Sequence, residues 1–206
     1  MKTTVPNFPV VIYNLEDYKD LFDPFIEKLL SDGGEKFSLG PDGEKGKISI
    51  WDNLDNDPLI AATRSIFDSI VLEFADEVHP DLKGKGMNYE LDRDAWLNKP
   101  ESWQGIRIHR HWQPFLWDYE IGDVVTVFYP QVPSSVKEGH GDFMIFQGNE
   151  DHKAFDWLPN DLDPKYTFVP KKYDLLLMTA DTWHMASPFQ CERYSLATDV
   201  KLTPVY

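Results

Sequence analysis

Apolar residues at 15, 18, 21, 22, 25, 26, 29 and 30 recur with the spacing of one helical face. Asp23-Pro24 predicts a break or restart inside that run, with Asp23 as N-cap and Pro24 at the first helical position. Gly33-Gly34 predicts its end. A second helix is predicted from Pro58 to Val78, capped by Asp57 and stopped by Pro80. Its apolar positions 59, 62, 66, 67, 70, 71, 74 and 78 form one broad face. Both helices are expected on one side of a sheet.

Strand patterns surround these helices. Val10–Tyr13 and Ile48–Trp51 are short β-type runs, and Met87–Leu91 alternates with one buried face. From residue 95 onward helical spacing disappears. Candidate strands are Ala95–Asn98, Gln104–His111, Val124–Tyr129, Asp142–Gln147, Tyr166–Val169, Leu175–Thr179 and Tyr194–Leu202, separated by Pro, Gly, Asn and Asp. Two helices followed by many short strands predict an α+β fold whose β part is a sandwich or barrel.

Composition narrows this picture. The chain has 206 residues, 42% hydrophobic and 14% aromatic, which suits a single globular domain over 1–206. Residues 1–94 would form the helix-and-strand support and 95–206 the β core. Cys191 is the only cysteine, so no intramolecular disulfide can form, and a reducing compartment is expected. There is no apolar run of the ~20 residues needed to span a bilayer, and Met1–Asn7 lacks a signal-peptide core. A cytoplasmic protein without a membrane partner is the expectation. With 20 basic and 35 acidic residues the net charge is −15, which repels phosphate backbones. Nucleic acid is therefore disfavoured, and a small molecule or a side chain is the expected substrate. Monomer and homodimer both stay open.

The chemistry gathers near the C-terminus. His184 follows the apolar run Leu175–Thr179, and Arg193-Tyr-Ser195 opens the next strand nine residues later. Adjacent strands with this content can place a metal ligand beside a cation that binds a carboxylate. In Ile106-Arg-Ile-His-Arg-His111 the strand period turns Arg107, His109 and His111 to one side and Ile106 and Ile108 to the other. Two imidazoles on one strand face can share a metal, and a third ligand, His184, would complete a facial set with open positions. Arg110 points away from these histidines and reads as solvated. Arg107 is a candidate clamp for a substrate carboxylate. Trp103, Trp112, Trp117 and Trp183 flank the site in sequence; Trp112 and Trp183 are candidates for a substrate pocket, with core packing as the alternative.

Several stretches together resemble the Fe(II)/2-oxoglutarate-dependent dioxygenases. They are Ala95-Trp-Leu-Asn98, Gly105–His111, Val125–Pro133, Gly141–Phe146, Pro170–Met178, Trp183-His184 and Arg193-Tyr-Ser195. The likeness is strongest to small bacterial and phage oxygenases with a W-x-N … H-x-H start. The order also resembles the prolyl hydroxylases: H-x-D, a Tyr-containing strand, a Gly-Gly-x-Leu strand, a distal His, then Arg. The resemblance spans residues 95–202. It implies a double-stranded β-helix, or cupin-like jelly roll, with the N-terminal helices on the outer face of the major sheet. It implies Fe(II) on His109 and His184, and 2-oxoglutarate chelating the iron. Arg193 would pair with the distal carboxylate of 2-oxoglutarate, and Ser195 would hydrogen-bond it. The implied reaction is hydroxylation of an unactivated C–H bond.

One position departs from the family pattern. Two residues after the first histidine the family carries a carboxylate, and this chain has His111. His111 could itself bind, a nearby acid (Asp118, Glu120 or Asp123) could take the position, or His140-Gly-Asp142 could be the true H-x-D. Two rival functions remain in view. One is a cupin-like metalloprotein that does not use 2-oxoglutarate; the other is a non-catalytic jelly-roll ligand-binding module.

Overall fold

The computed structural model describes residues 1–36, 57–80, 88–98, 108–111, 124–148 and 162–205. The strand expected at Ile48–Trp51 lies outside these. The elements run β1 (Lys2–Thr4), β2 (Val10–Asn14), a short 3-10 turn (Glu16–Tyr18), α1 (Lys19–Lys36), α2 (Pro58–Val78), β3 (Asn88–Asn98), β4 (Val124–Gln131), β5 (Phe143–Phe146), β6 (Tyr166–Phe168), β7 (Asp174–Thr179), β8 (Trp183–Ala186) and β9 (Tyr194–Val205). All pairings between these strands are antiparallel. A six-stranded sheet has the order β1-β2-β7-β4-β9-β3, and a three-stranded sheet the order β6-β5-β8. This is the expected jelly roll with two helices.

The near-continuous apolar runs of β4 and β7 reflect burial on both faces. One face of the major sheet, with Val11, Val124, Phe128, Leu175, Leu177, Leu196 and Val200, packs on the helices. Phe22, Phe25, Ile60, Phe67 and Phe74 meet it from α1 and α2. The rings of Phe22 and Phe67 both lie 5.3 Å from that of Phe128. The alternate residues Val10, Ile12, Val125, Val127, Tyr129, Leu176 and Met178 point inward to Phe143 and Ile145 of the minor sheet. A third cluster, Ile108, Phe146 and Trp183, covers the minor sheet's other face.

Helix α2 keeps its predicted bounds, with the Leu59 N–H donating to Asp57 Oδ1 at 2.9 Å. Helix α1 differs from expectation, because it runs unbroken from Lys19 through Pro24, Gly33 and Gly34 to Lys36. Pro24 lies in the second turn, so its missing N–H removes one helical bond. The buried face of Phe22, Phe25, Ile26 and Leu29 continues across it. Met87–Leu91 and Ala95–Asn98 join into one strand, β3, which pairs with β9 along its whole length. The boundary expected at residue 95 therefore falls inside a strand, and β1 and β2 of the N-terminal part extend the major sheet. No helix among the described residues is long and apolar enough to cross a membrane.

Candidate metal centre

His184 was expected just past a strand; it lies within one. The four residues of β8 carry no apolar run, and pairing with β5, Ile145 opposite His184, makes them a strand. His109 forms an isolated bridge to His184, with N–H to O distances of 3.0 and 2.9 Å. Directly opposed residues of an antiparallel pair share a face, so the two imidazoles meet. The His111 N–H donates to Ala180 O at 3.0 Å, which lays the segment along the β7–β8 turn. The imidazoles of His109, His111 and His184 converge, with one ligand nitrogen from each within 4.8 Å of the others. The alternation inferred for this segment sends Ile108 and Arg110 the other way. Ile108 is fully buried, and the Arg110 guanidinium sits 4.6 Å from the Trp183 ring. Arg110 is therefore not solvated: it is 7% exposed.

The hydrogen bonds assign the free nitrogens. His184 Nδ1–H donates to Thr182 O at 2.9 Å, which leaves the Nε2 lone pair available. His111 Nδ1–H donates to Asp199 Oδ1 at 2.6 Å, with the same consequence. His184 is 4% exposed and stacks on Phe143 with ring centroids 5.2 Å apart. Burial pushes its pKa well down, and repulsion from His109 and His111 adds to this. His184 is thus held neutral, the form that binds a metal.

A second group of polar side chains lies on the inner face of β4, just before β9 and at its start. Arg193 is 3% exposed and packed between the rings of Tyr129 and Phe189, at 5.1 and 4.7 Å. Behind it Gly141 has φ +80, and a Cβ there would come within 3.3 Å of Phe189 and 3.4 Å of Arg193. Arg193 Nε and the Tyr129 hydroxyl are both buried without a hydrogen-bond partner among the described residues. Burial pushes the Tyr129 pKa up, against the pull of the Arg193 charge and of a polar contact with that guanidinium, which falls short of hydrogen-bond geometry. Two buried, unsatisfied donors side by side are costly unless an anion completes them. Ser195 faces inward one pleat along β9, where Asn98 Nδ2 approaches its Oγ at 3.4 Å. Trp96, two residues before Asn98, stacks on His111 with ring centroids 5.8 Å apart.

Other sequence-predicted residues lie elsewhere. In His140-Gly-Asp142, the fully buried Asp142 accepts from the Gly139 N–H at 3.0 Å and from the Ser187 hydroxyl. His140 Nδ1 donates to Ser135 O, and its Nε2 accepts the Gln190 N–H, both at 3.2 Å. This tripeptide braces the loop before β5 against the loop after β8, and neither acid nor imidazole joins the histidine cluster. Trp183 is on the opposite face of β8 from His184, packed with Ile108 and Phe146 and not at the histidine cluster. Arg107, Trp112, Asp118, Glu120 and Asp123 lie outside the described residues, as do Trp103 and Trp117. Tyr129, Trp96, Asn98 and Asp199 join these sites without a sequence motif that gives them a role. The signal for Tyr129 was an aromatic hydroxyl on the strand that leads into Pro130; for Trp96 and Asn98 it was the W-x-N spacing.

No family model and no curated protein sequence matches the chain. Solved structures do match. A prolyl hydroxylase from Trichoplax adhaerens, in complex with a hypoxia inducible factor oxygen degradation domain peptide fragment, is 16% identical with a TM-score of 0.57. That match covers 94% of this chain and 84% of the other. A prolyl-4-hydroxylase from Pseudomonas putida is 13% identical with a TM-score of 0.55, covering 95% and 93%. A prolyl 4-hydroxylase from Phytophthora capsici is 15% identical at 0.53, covering 95% of this chain and 59% of that one. At these identities the likeness is one of fold, and the chain has the fold of these prolyl hydroxylase structures.

Proposed function

We propose that the chain is an Fe(II)- and 2-oxoglutarate-dependent oxygenase that hydroxylates an unactivated C–H bond of a small molecule or an amino-acid side chain. The observation that carries this reading is the pair of buried donors at Arg193 and Tyr129, unsatisfied among the described residues, in the fold that also holds the three-histidine cluster. A cluster of neutral imidazoles suits a divalent transition metal. A buried guanidinium suits a carboxylate, which it can grip with two parallel N–H bonds. A dicarboxylic oxo acid would satisfy both ends.

In this reading His109, His111 and His184 hold the iron, the last two through Nε2. Arg193, Tyr129 and Ser195 hold the far carboxylate of 2-oxoglutarate. When bound, Fe(II) with 2-oxoglutarate and O2 supplies the oxidation, in which the oxo acid yields succinate and CO2 and one oxygen atom enters the substrate C–H bond. The chain's own contribution is positioning and dryness. Val125, Val127, Phe143, Ile145 and Met178 line the interior between the sheets, and Phe143 lies flat against His184. These apolar walls keep water from the metal side, while Gly141 lets the loop close on Arg193.

The donor set departs from the family at His111, which stands where a carboxylate is usual. That departure favours a second reading, a metalloprotein of the same fold that binds no 2-oxoglutarate. Anaerobic calorimetric titration with Fe(II), then with 2-oxoglutarate, separates the two. The proposal expects 2-oxoglutarate binding that requires the metal and is lost in Arg193→Met. Metal binding with no 2-oxoglutarate response supports the second reading. Absence of metal binding supports a non-catalytic ligand-binding module.

A further inference from the structure

Among the described residues the candidate ligands are three histidines, which bring no negative charge to a divalent ion. A carboxylate nevertheless stands close by. Asp199 Oδ1 accepts from His111 Nδ1–H at 2.6 Å, shorter than the about 2.7–2.9 Å usual for a charge-assisted N–H···O bond. Its position follows from strand register: Asp199 sits on β9 opposite Val125 of β4 and Asp94 of β3. Residues 195, 197 and 199 face inward, while Leu196, Val200 and Leu202 pack on the helices. The His111 ring is stacked at 17° on Trp96 and at 17° on His184. Its ring plane, its tautomer and its Nδ1 partner are therefore all determined.

We propose that Asp199 is a positioning residue that moves the missing carboxylate one shell outward: it polarises His111 and so makes it an electron-rich third ligand. A carboxylate on Nδ1–H draws the proton toward itself and raises electron density at Nε2. The metal then receives part of the negative charge that a directly bound Asp would have supplied. This inference rests on the metal-centre reading above. A simple structural pair between two half-buried side chains would hold the ring without affecting metal affinity.

The test is competition between the protein and a chromogenic chelator for Co(II) and for Fe(II) under anaerobic conditions. Asp199→Asn keeps a carbonyl oxygen that can accept from His111 but removes the charge. It is expected to weaken metal binding by roughly 10- to 100-fold and to shift the visible absorption bands of the Co(II) form. The melting temperature of the metal-free protein should stay unchanged. In a His111→Asp background no imidazole remains to polarise, so adding Asp199→Asn should leave metal affinity unchanged or raise it. Unchanged affinity and unchanged Co(II) bands in Asp199→Asn, with metal binding still lost in His184→Ala, would overturn the inference and leave the metal centre standing. An equal loss in the His111→Asp background would also overturn it. If the parent protein binds neither metal, the inference and the metal-centre reading fall together.

Discussion

Replacing Tyr129 by Phe removes one oxygen atom and should move stability and ligand binding in opposite directions. The hydroxyl is fully buried and has no hydrogen-bond partner among the described residues. Without ligand it pays desolvation with no return, roughly 1–3 kcal/mol for an unsatisfied buried polar group. The ring remains in Tyr129→Phe, so the aromatic face under the Arg193 guanidinium is kept. The ligand-free variant should therefore melt no lower than the parent. At this chain length a gain of 1 kcal/mol raises Tm by about 2–4 °C. If Tyr129 holds the far carboxylate of 2-oxoglutarate as proposed, the same variant with metal present loses a hydrogen bond to a carboxylate, worth about 1.5–3 kcal/mol. That corresponds to roughly 10- to 150-fold weaker 2-oxoglutarate binding. Thermal melts of ligand-free protein and calorimetric titration of the Mn(II)-loaded protein measure the two effects separately. A Tyr129→Phe protein that melts several degrees lower and binds 2-oxoglutarate like the parent would refute the reasoning, because the hydroxyl would then be a structural group.

Three further outcomes follow from the packing and the charges. Phe22 is fully buried among Phe25, Phe67 and Phe128, so Phe22→Ala should cost about 3–5 kcal/mol in urea unfolding; a cost below about 1 kcal/mol would contradict helix packing on the major sheet. A Cβ on Gly148 would meet Trp183 at Nε1 and at Cδ1, the latter 2.6 Å away. Gly148→Ala should therefore lose about 1–3 kcal/mol through overpacking, read as a lowered Tm, and an unchanged Tm would show that the indole moves freely. The Asp57 carboxyl is held below its ordinary 3.8, first by the Lys28 ion pair and then by the Leu59 N–H. A lowered carboxyl pKa contributes stability that is present above 3.8 and lost as pH falls through the folded value. Asp57→Asn keeps the helix cap but not the charge, so its urea midpoint should fall less than the parent's on acidification, and parallel pH curves would count against the ion pair.

Much of the architecture is legible in local pattern. Helical period and the Asp57-Pro58 cap locate α2 because capping and amphipathicity act over one or two turns. The apolar runs of β4 and β7 announce strands buried on two faces. The period of two in Ile106–His111 places His109 and His111 together on one side and Ile108 and Arg110 on the other. The absent break at Pro24 in α1 and the missed strand β8 have one cause. In each, burial or pairing with a distant segment outweighs a local signal: the phenylalanine face across Pro24, and Ile145 opposite His184.

By itself, then, the sequence determined which residues could bind a metal and a carboxylate, and the order in which strands would carry them. Tertiary structure decided which of those residues meet. His109 and His184 are 75 positions apart, and a backbone bridge joins them. Asp142 matches the H-x-D spacing but is held by Gly139 and Ser187, away from the histidines. Asp199, 88 positions from His111, has no local signal and reaches the imidazole through the register of β9. A spacing rule describes side chains on one strand. Donors brought from different strands depend on pairing register and sheet curvature, which are properties of the whole fold.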